Sequence, residues 1–453
     1  MKKYTFLIAL VFSSFYAKSQ TIQLEFPYFA GQTYEFKIFQ GDQQITLKKD
    51  TIPKGGKVQL IIPKEYQGYK GMAQWYLTNS KTGGGLDLTI NSEDFSVACL
   101  DSVPTGQSIV YSGSRENTFG GTNYEQQQKL FEKHDAILAA LRAYPKNNKL
   151  YSVFDKEYKN IVNQYTQYSK SLTESSLYAA RFRQIVNITM GIGTKIVTDE
   201  KEKANNINDF VVNDLDFSLL YTSNHWRGII NNWVQLQIQI LKDDVKLMQD
   251  AKTILNRLPS DLIYTDFLVN LTKELNKKGK DHILDALTPG IKNSNRLLNY
   301  NGVLSIYQKD LSGKAPDLSI VTYIGKKEDK NYKKTVLKTT ELNSKFTLLV
   351  FYRSGCGPCE ETMKGLIDNY KVIKDKGFRI ITIAADTEQQ IFENTSLLQP
   401  WKDTYCDFEG SKGENFSNYA VIGTPTIYLI NNVGNILVKL ATITEVLNFV
   451  NLN

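Results

Sequence analysis

In residues 20–115, apolar and polar side chains alternate with the two-residue period of a β-strand. Tyr34, Phe36 and Ile38 fall on one face of the first clear strand, and Gly41-Asp42 then predicts a turn. Further short strands are predicted at Val58–Ile62, Trp75–Leu77, Leu86–Ile90 and Phe95–Ala98. Many short strands separated by turns predict an antiparallel β-sandwich or barrel.

The period of the apolar positions changes near Thr122 to that of a helix. Thr122-Asn123-Tyr124-Glu125 has the form of a capping box, and Leu130, His134 and Leu141 then share one helical face until Pro145. Further helices are predicted at Leu150–Tyr168, Ser176–Met190, Phe217–Leu241, Val245–Leu258 and Leu262–Leu275. This pattern predicts a helical region over residues 116–305.

Strands and helices alternate in the last part of the chain, residues 312–453. Phe346–Tyr352 is a continuous apolar run, which is typical of a strand buried on both faces. A helix is predicted from the following cysteine pair to about Lys376, then a strand at Phe378–Ala384, a hairpin at 426–440 and a last helix at Thr444–Asn451. We therefore expect a multidomain protein: an antiparallel β domain (20–115), a central α-helical region (116–305) and a C-terminal α/β domain (312–453).

Residues 1–19 have the pattern of a secretory signal peptide. Met1-Lys2-Lys3 is basic, Tyr4–Tyr16 is apolar but shorter than the ~20 residues of a membrane span, and Ala17-Lys18-Ser19 supplies small residues before a cut at Gln20. We predict a periplasmic protein without stable membrane insertion. The three lysines of this segment account for part of the +7 formal charge, so the remainder carries +4. A charge so small, without a basic run, predicts no nucleic-acid binding.

The chemistry of the chain centres on Cys356-Gly357-Pro358-Cys359, which follows the apolar strand and a three-residue turn. This order predicts that Cys356 lies at a helix N-terminus, where unpaired amides and the helix dipole favour a thiolate. Cys359 lies one helical turn further and can attack a mixed disulfide formed by Cys356. We therefore predict that Cys356 is the nucleophile and that Cys359 is the resolving thiol.

Three features of the C-terminal sequence are similar to those of the thioredoxin superfamily, and in particular of the exported TlpA-like thiol–disulfide oxidoreductases. They are the strand followed by Cys-Gly-Pro-Cys, the segment Gly423-Thr424-Pro425-Thr426 before the next apolar strand, and Gly313-Lys314-Ala315-Pro316-Asp317 at the start of the domain. The resemblance implies that Pro425 follows a cis peptide bond beside the cysteines, and that the Thr424 backbone pairs with a substrate strand.

The resemblance further implies the function and partners of the chain. Substrate contacts are expected at Gly357, Pro358, Thr424 and Pro425. The Gly-Pro dipeptide between the cysteines favours reduction over oxidation of protein disulfides. A membrane thiol transporter is expected as the electron donor, because the chain has no Gly-x-Gly-x-x-Gly site for a nucleotide cofactor. We therefore predict no cofactor and no metal.

Several positions depart from the family pattern, including Lys364 where a proline is usual. Gly355 stands where tryptophan usually precedes the first cysteine, Val350 where thioredoxin has a buried acid, and Thr362 where many TlpA-like proteins have glutamate. Glu360 and Glu361 are close to the cysteines in sequence, but in a different register. The group that accepts the proton of Cys359 is therefore left open at this stage.

Several other functions are compatible with parts of this pattern. The pair could be a structural disulfide, or half of a zinc site completed by Cys99, Cys406 or histidines. The chain could be a partner-binding adaptor with a vestigial redox domain, or a peroxiredoxin-like thiol peroxidase, for which Ser354 lies near the required threonine position. Cys99 and Cys406 are expected to be buried thiols, with a bridge between them or a third redox cysteine as alternatives.

Overall fold

A computed structural model describes residues 20–80, 84–308, 313–324 and 331–452 of the chain. The predicted signal peptide, residues 1–19, lies outside these ranges. By compactness the chain divides into two units, one up to Ile229 and one from Ile230 onward. This division falls inside the predicted helical region, and the domain boundaries proposed from sequence stay a prediction.

The first unit begins with eight strands that form two four-stranded sheets. Their bounds are β1 (Thr21–Glu25), β2 (Thr33–Gln40), β3 (Gln43–Thr51), β4 (Lys57–Ile61), β5 (Lys70–Leu77), β6 (Gly85–Asn91), β7 (Phe95–Cys99) and β8 (Ile109–Ser112). The sheet orders are β4-β1-β7-β8 and β3-β2-β5-β6. Inward side chains of both sheets share one core that includes Phe36, Leu60 and Trp75. The predicted β domain is confirmed, but β1 and β7 pair in parallel, so it is not wholly antiparallel.

The helices of the first unit follow directly. They are α1 (Arg115–Ala143), α2 (Tyr151–Glu174), α3 (Tyr178–Thr189), α4 (Glu200–Asn213) and α5 (Phe217–Tyr221). The predicted start of the first helix was wrong, because Ser114 caps it by accepting a hydrogen bond from the Asn117 amide. The Thr122 hydroxyl instead donates to the Thr118 and Phe119 carbonyls within the helix.

Helix α6 (Trp226–Leu236) crosses the division between the units and continues into a short π-helix at Gln237–Leu241. The single helix predicted at 217–241 was therefore wrong, since α5 and α6 are separated by a turn in which Asn224 has a φ of 66°. Helices α7 (Asp244–Arg257), α8 (Asp261–Lys277) and α9 (Asp281–Ser294) follow. Helix α9 was not predicted, and it contains Pro289 in its interior.

The C-terminal domain contains two sheets, a β9–β10 hairpin and a five-stranded sheet of order β13-β12-β11-β14-β15. The strands are β9 (Leu318–Tyr323), β10 (Tyr332–Leu337), β11 (Phe346–Tyr352), β12 (Phe378–Ala384), β13 (Thr404–Cys406), β14 (Thr426–Asn431) and β15 (Ile436–Leu440). The helices are α10 (Gly357–Asp368), α11 (Tyr370–Asp375), α12 (Gln389–Ser396), α13 (Glu414–Asn418) and α14 (Ile443–Leu452). The single helix predicted from the cysteines to Lys376 is divided at Asn369.

Apolar cores lie on both faces of the five-stranded sheet, as the continuous apolar run of β11 predicted. Val350 contributes to one core together with Leu366 of α10 and Val446 of α14. Phe351, its neighbour, contributes to the other core together with Phe416 of α13. The alternation places adjacent residues on opposite faces. Within the described ranges, the structure contains no helix long and apolar enough to cross a membrane.

Candidate active site

The end of β11 and the start of α10 place the cysteine pair at the carboxyl edge of the sheet. Cys356 is the N-cap of α10, and its carbonyl accepts a hydrogen bond of 2.9 Å from the Glu360 amide. Pro358 lies in the first turn, where the missing amide costs no helical hydrogen bond. Gly355 has a φ of 73°. Tryptophan would be strained there, which explains this departure from the family pattern.

The two sulfur atoms lie together but differ in exposure. The Cys359 thiol donates a hydrogen bond to Cys356 Sγ, with 2.8 Å between the two sulfurs. Cys356 is partly exposed, whereas Cys359 is 1% exposed. A client disulfide can therefore reach Cys356, while Cys359 is placed to attack the Cys356 sulfur from within. This geometry fits the predicted roles of nucleophile and resolving thiol.

Burial raises the pKa of the Cys359 thiol to about 11, and its hydrogen bond to Cys356 acts in the same direction. Cys406 is also buried, which raises its pKa to about 12. Both groups are therefore neutral thiols at physiological pH. Cys359 becomes nucleophilic only when a proton acceptor or the mixed disulfide at Cys356 changes its surroundings.

Alkylation of the reduced protein should distinguish the two cysteines of the pair. At pH 8 we expect iodoacetamide to modify Cys356 at least about tenfold faster than Cys359, because Cys359 is buried and remains protonated. Cys359 labelling should increase only as the pH approaches 11. Peptide mass spectrometry of timed samples measures both rates. Equal rates, each with the pH dependence of a free thiol, would contradict the assignment.

The loop before β14 supplies the other side of the site. Strand β14 pairs with β11, with Thr426 opposite Phe351, and this register brings the preceding Thr424 next to the cysteines. The Thr424–Pro425 peptide bond is cis, as predicted. Cys356 Sγ lies 3.7 Å from the Thr424 carbonyl oxygen. Thr424 and Pro425 are half-buried around Cys356.

Gly357 and Pro358, the other two predicted substrate contacts, are exposed at the start of α10. Gly357 and Pro358 follow Cys356 directly in the chain, and Thr424 approaches it from the loop. Their contact with a substrate stays a prediction.

A buried carboxylate that the sequence analysis missed holds the turn before Cys356. Asp386 accepts hydrogen bonds from the Ser354 amide at 2.9 Å and from the Ser354 hydroxyl at 2.7 Å. The Ser354 hydroxyl also lies 3.0 Å from Thr395 Oγ1. Asp386 follows β12, which is parallel to β11, so the sequence did contain a signal: both strands end at the same sheet edge.

This arrangement also bears on the peroxidase alternative. The Ser354 hydroxyl, which was the candidate for the peroxidase threonine position, is bonded to Asp386 and Thr395. No hydrogen bond from this hydroxyl to Cys356 occurs among the described residues. Ser354 therefore holds the turn in place, and its hydroxyl makes no hydrogen bond to Cys356.

A cavity of about 360 Å³ lies beside Cys359 and opens along α10. Its walls are largely apolar and include Met363 and Ile367 of α10 and Leu398 after α12. Glu360 lines the same cavity. Val350 is fully buried between β12 and β14, and Thr362 is buried on α10. Related proteins have an acidic residue at these two positions, and valine and threonine supply no carboxylate there.

The remaining cysteines do not join this site. All four cysteines are free thiols. Cys406 donates to the Asp386 carbonyl at 3.3 Å, and Cys99 donates to the Asp101 carbonyl at 3.5 Å. Within the part of the chain that the structure describes, no group of three or more His, Cys, Asp or Glu residues is arranged to hold a metal ion.

Comparison with known proteins gives consistent results for this domain. The AhpC/TSA family matches residues 312–439. Thiol-disulfide oxidoreductase ResA of Bacillus cereus is 29% identical over 139 residues, which are 30% of this chain and 74% of that protein. Nucleoredoxin of Danio rerio is 24% identical over 112 residues, 24% of this chain. The chain spans about a quarter of the length of the nucleoredoxins that it matches, 27% in this case.

Solved structures align with the same part of the chain. A putative thiol:disulfide interchange protein DsbE from Chlorobium tepidum is 23% identical, with a TM-score of 0.25, and covers 32% of this chain and 96% of its own. The C-terminal domain of a putative thiol-disulfide oxidoreductase from Bacteroides thetaiotaomicron is 20% identical, with a TM-score of 0.26, and covers 32% of this chain and 98% of its own.

The C-terminal domain is therefore a thioredoxin-superfamily domain of the thiol–disulfide oxidoreductase class. Its sequence match is to the AhpC/TSA family, and its dithiol is Cys356 and Cys359. The match covers less than a third of the chain, so the residues before 312 are outside it.

Proposed function

We propose that the protein reduces disulfide bonds of protein clients outside the cytoplasm, through the Cys356–Cys359 dithiol. One observation carries this proposal. A partly exposed sulfur at a helix N-terminus lies 2.8 Å from a buried resolving sulfur and 3.7 Å from the Thr424 carbonyl oxygen. That carbonyl lies in the loop that ends at the cis proline directly before β14, and the half-buried loop backbone is where a client strand can bind.

The proposed reaction proceeds in two exchanges. The Cys356 thiolate attacks one sulfur of the client disulfide, forms a mixed disulfide and releases the first client thiolate. The Cys359 thiol then loses its proton and attacks the Cys356 sulfur, which releases the second client thiolate. The client gains two electrons, and the protein is left with a Cys356–Cys359 disulfide. An external dithiol returns it to the reduced state.

The cellular setting is part of the proposal. The basic and apolar pattern of residues 1–19 supports export, and client disulfides persist in the periplasm but not in the cytosol. Repeated turnover there requires a source of electrons across the membrane. A membrane thiol transporter fits this need, because Cys356 is accessible to a second dithiol partner after oxidation.

The rates of oxidation by a disulfide and by hydrogen peroxide distinguish this function from that of a thiol peroxidase. The fully reduced protein should be oxidised by a peptide disulfide at least about a hundredfold faster than by equimolar hydrogen peroxide, because its geometry favours exchange at sulfur. Rapid acid quenching followed by mass spectrometry measures the Cys356–Cys359 disulfide formed. The Ser354→Ala variant is the control, and it should not alter this preference. Faster oxidation by peroxide would support the peroxidase alternative instead.

A further inference from the structure

The loop that carries Thr424 and Pro425 contacts a residue from outside the thioredoxin-like domain. Gly423 lies beneath Asn276, at the C-terminal end of α8. A Cβ atom added to Gly423 would lie 2.2 Å from Asn276 Oδ1, and the three nearest heavy atoms to it all belong to Asn276. Any side chain at position 423 would therefore require the Asn276 amide to move.

The end of α8 is itself held against the sheet. Asn276 Nδ2 donates a hydrogen bond of 2.9 Å to Asp281 Oδ1 at the start of α9. The same carboxylate oxygen lies 3.4 Å from Lys439 Nζ on β15, and both side chains of this ion pair are mostly buried. Lys439 is paired in the sheet with Tyr428 of β14, the strand that begins directly after the cis proline.

These contacts connect the helices to the reacting sulfur by short steps. The carboxylate of Asp281 accepts a hydrogen bond from Asn276 and pairs with Lys439 of the sheet. Asn276 in turn covers Gly423. Thr424, which follows Gly423, places its carbonyl oxygen 3.7 Å from Cys356 Sγ. A hydrogen-bonded amide next to a glycine restricts the loop without occupying the exposed side of Cys356.

We propose that Asn276 is a positioning residue for client binding. It holds the Gly423–Pro425 loop so that the Thr424 backbone can pair with an extended polypeptide segment whose disulfide reaches Cys356. This inference rests on the proposed function and adds to it a preference for one class of disulfide substrate. By holding the loop, α8 favours the reduction of polypeptide disulfides, whose backbone pairs with Thr424. Small disulfides react without such pairing and gain nothing from it.

Four variants of the full chain and two substrates test this role. Asn276→Ala removes the amide, Gly423→Ala introduces the clash, and the double variant removes both the amide and the clash. Lys277→Ala is the matched control, because Lys277 is exposed on the next position of α8. The substrates are a peptide with one internal disulfide and the small aromatic disulfide 5,5′-dithiobis(2-nitrobenzoate). Hydrogen–deuterium exchange of peptides that span residues 421–427 reports on the loop directly.

We expect Asn276→Ala to raise KM for the peptide about fivefold and to change kcat, and the rate with the small disulfide, less than about twofold. Gly423→Ala should raise KM for the peptide about tenfold, and Asn276→Ala added to it should restore most of that loss, since residues in contact are not additive. Hydrogen–deuterium exchange of residues 421–427 should be faster in Asn276→Ala. The Lys277→Ala variant should match the natural chain.

Other results would overturn the proposal. Equal losses with both substrates would mean that Asn276 supports the fold only, and strictly additive effects of the two substitutions would mean that the contact does not exist. Unchanged KM and loop exchange in Asn276→Ala would have the same consequence. If the natural chain reduces neither substrate, the proposed function is wrong. Loop exchange then decides by itself whether Asn276 holds the loop.

Discussion

The Cys356→Ser variant should lose the reduction of peptide and protein disulfides almost completely, by about a thousandfold or more. A serine hydroxyl at the N-cap of α10 preserves the helix start, because serine is a favoured cap residue. It cannot form a disulfide with the client, however, and Cys359 cannot replace it because it is buried and its pKa is about 11. Initial rates with excess dithiothreitol as the electron donor measure the loss.

Cys99→Ser provides the matched control for this substitution. Cys99 is buried in the first unit, and its thiol donates to the Asp101 carbonyl, a bond that a serine hydroxyl can also make. Its activity should remain within about twofold of the natural chain, because this thiol has no part in the reaction. If Cys356→Ser retains most of the activity, the nucleophile is assigned wrongly.

The Cys359→Ser variant should accumulate covalent complexes with its clients. Cys356 still attacks the client disulfide, but no neighbouring thiol is present to release the product, so the reaction stops at the mixed disulfide. Non-reducing electrophoresis of cells that express the exported variant should show these complexes, and dithiothreitol should remove them. Mass spectrometry of the captured proteins would identify the clients.

Two controls define the result for the captured complexes. Cys356→Ser should capture far less, because it lacks the attacking sulfur. Expression of Cys359→Ser without residues 1–19 should abolish capture, because cytosolic thiols keep client disulfides rare. If the exported Cys359→Ser protein captures no more than Cys356→Ser, the adaptor alternative becomes the better explanation of the chain.

The part of the fold predicted most accurately is the central sheet of the C-terminal domain. Strands β11 and β12 were predicted with the bounds that the structure has, Phe346–Tyr352 and Phe378–Ala384. Strands buried on both faces require continuous apolar runs, so their limits are visible in the sequence itself. In contrast, the short edge strand β13 and the hairpin β9–β10 were missed, because partly exposed strands have mixed patterns.

The helical region was predicted less accurately, for reasons that concern local chemistry. A threonine can cap a helix, and the sequence of Thr122-Asn123-Tyr124-Glu125 predicted that Thr122 does so. Only the folded chain decides which hydroxyl meets a free amide, and it selects Ser114. Similarly, α9 was not predicted, although packing of Ile283, Leu287 and Ile291 in the core keeps it helical through Pro289.

The sequence alone determined the chemical centre of this protein. The order of apolar strand, tight turn and Cys-Gly-Pro-Cys predicted a thiol at a helix start from local geometry. The cis bond before Pro425 was implied by the resemblance to the thioredoxin superfamily. Local signals were sufficient for the position of the cysteine pair because a helix start depends on residues within one turn. Tertiary structure alone decided which distant residues support the site. Asp386 accepts hydrogen bonds from Ser354, 32 positions earlier in the chain, and Asn276 contacts the distant Gly423. Strand order and helix docking set those distances, and no local pattern encodes them.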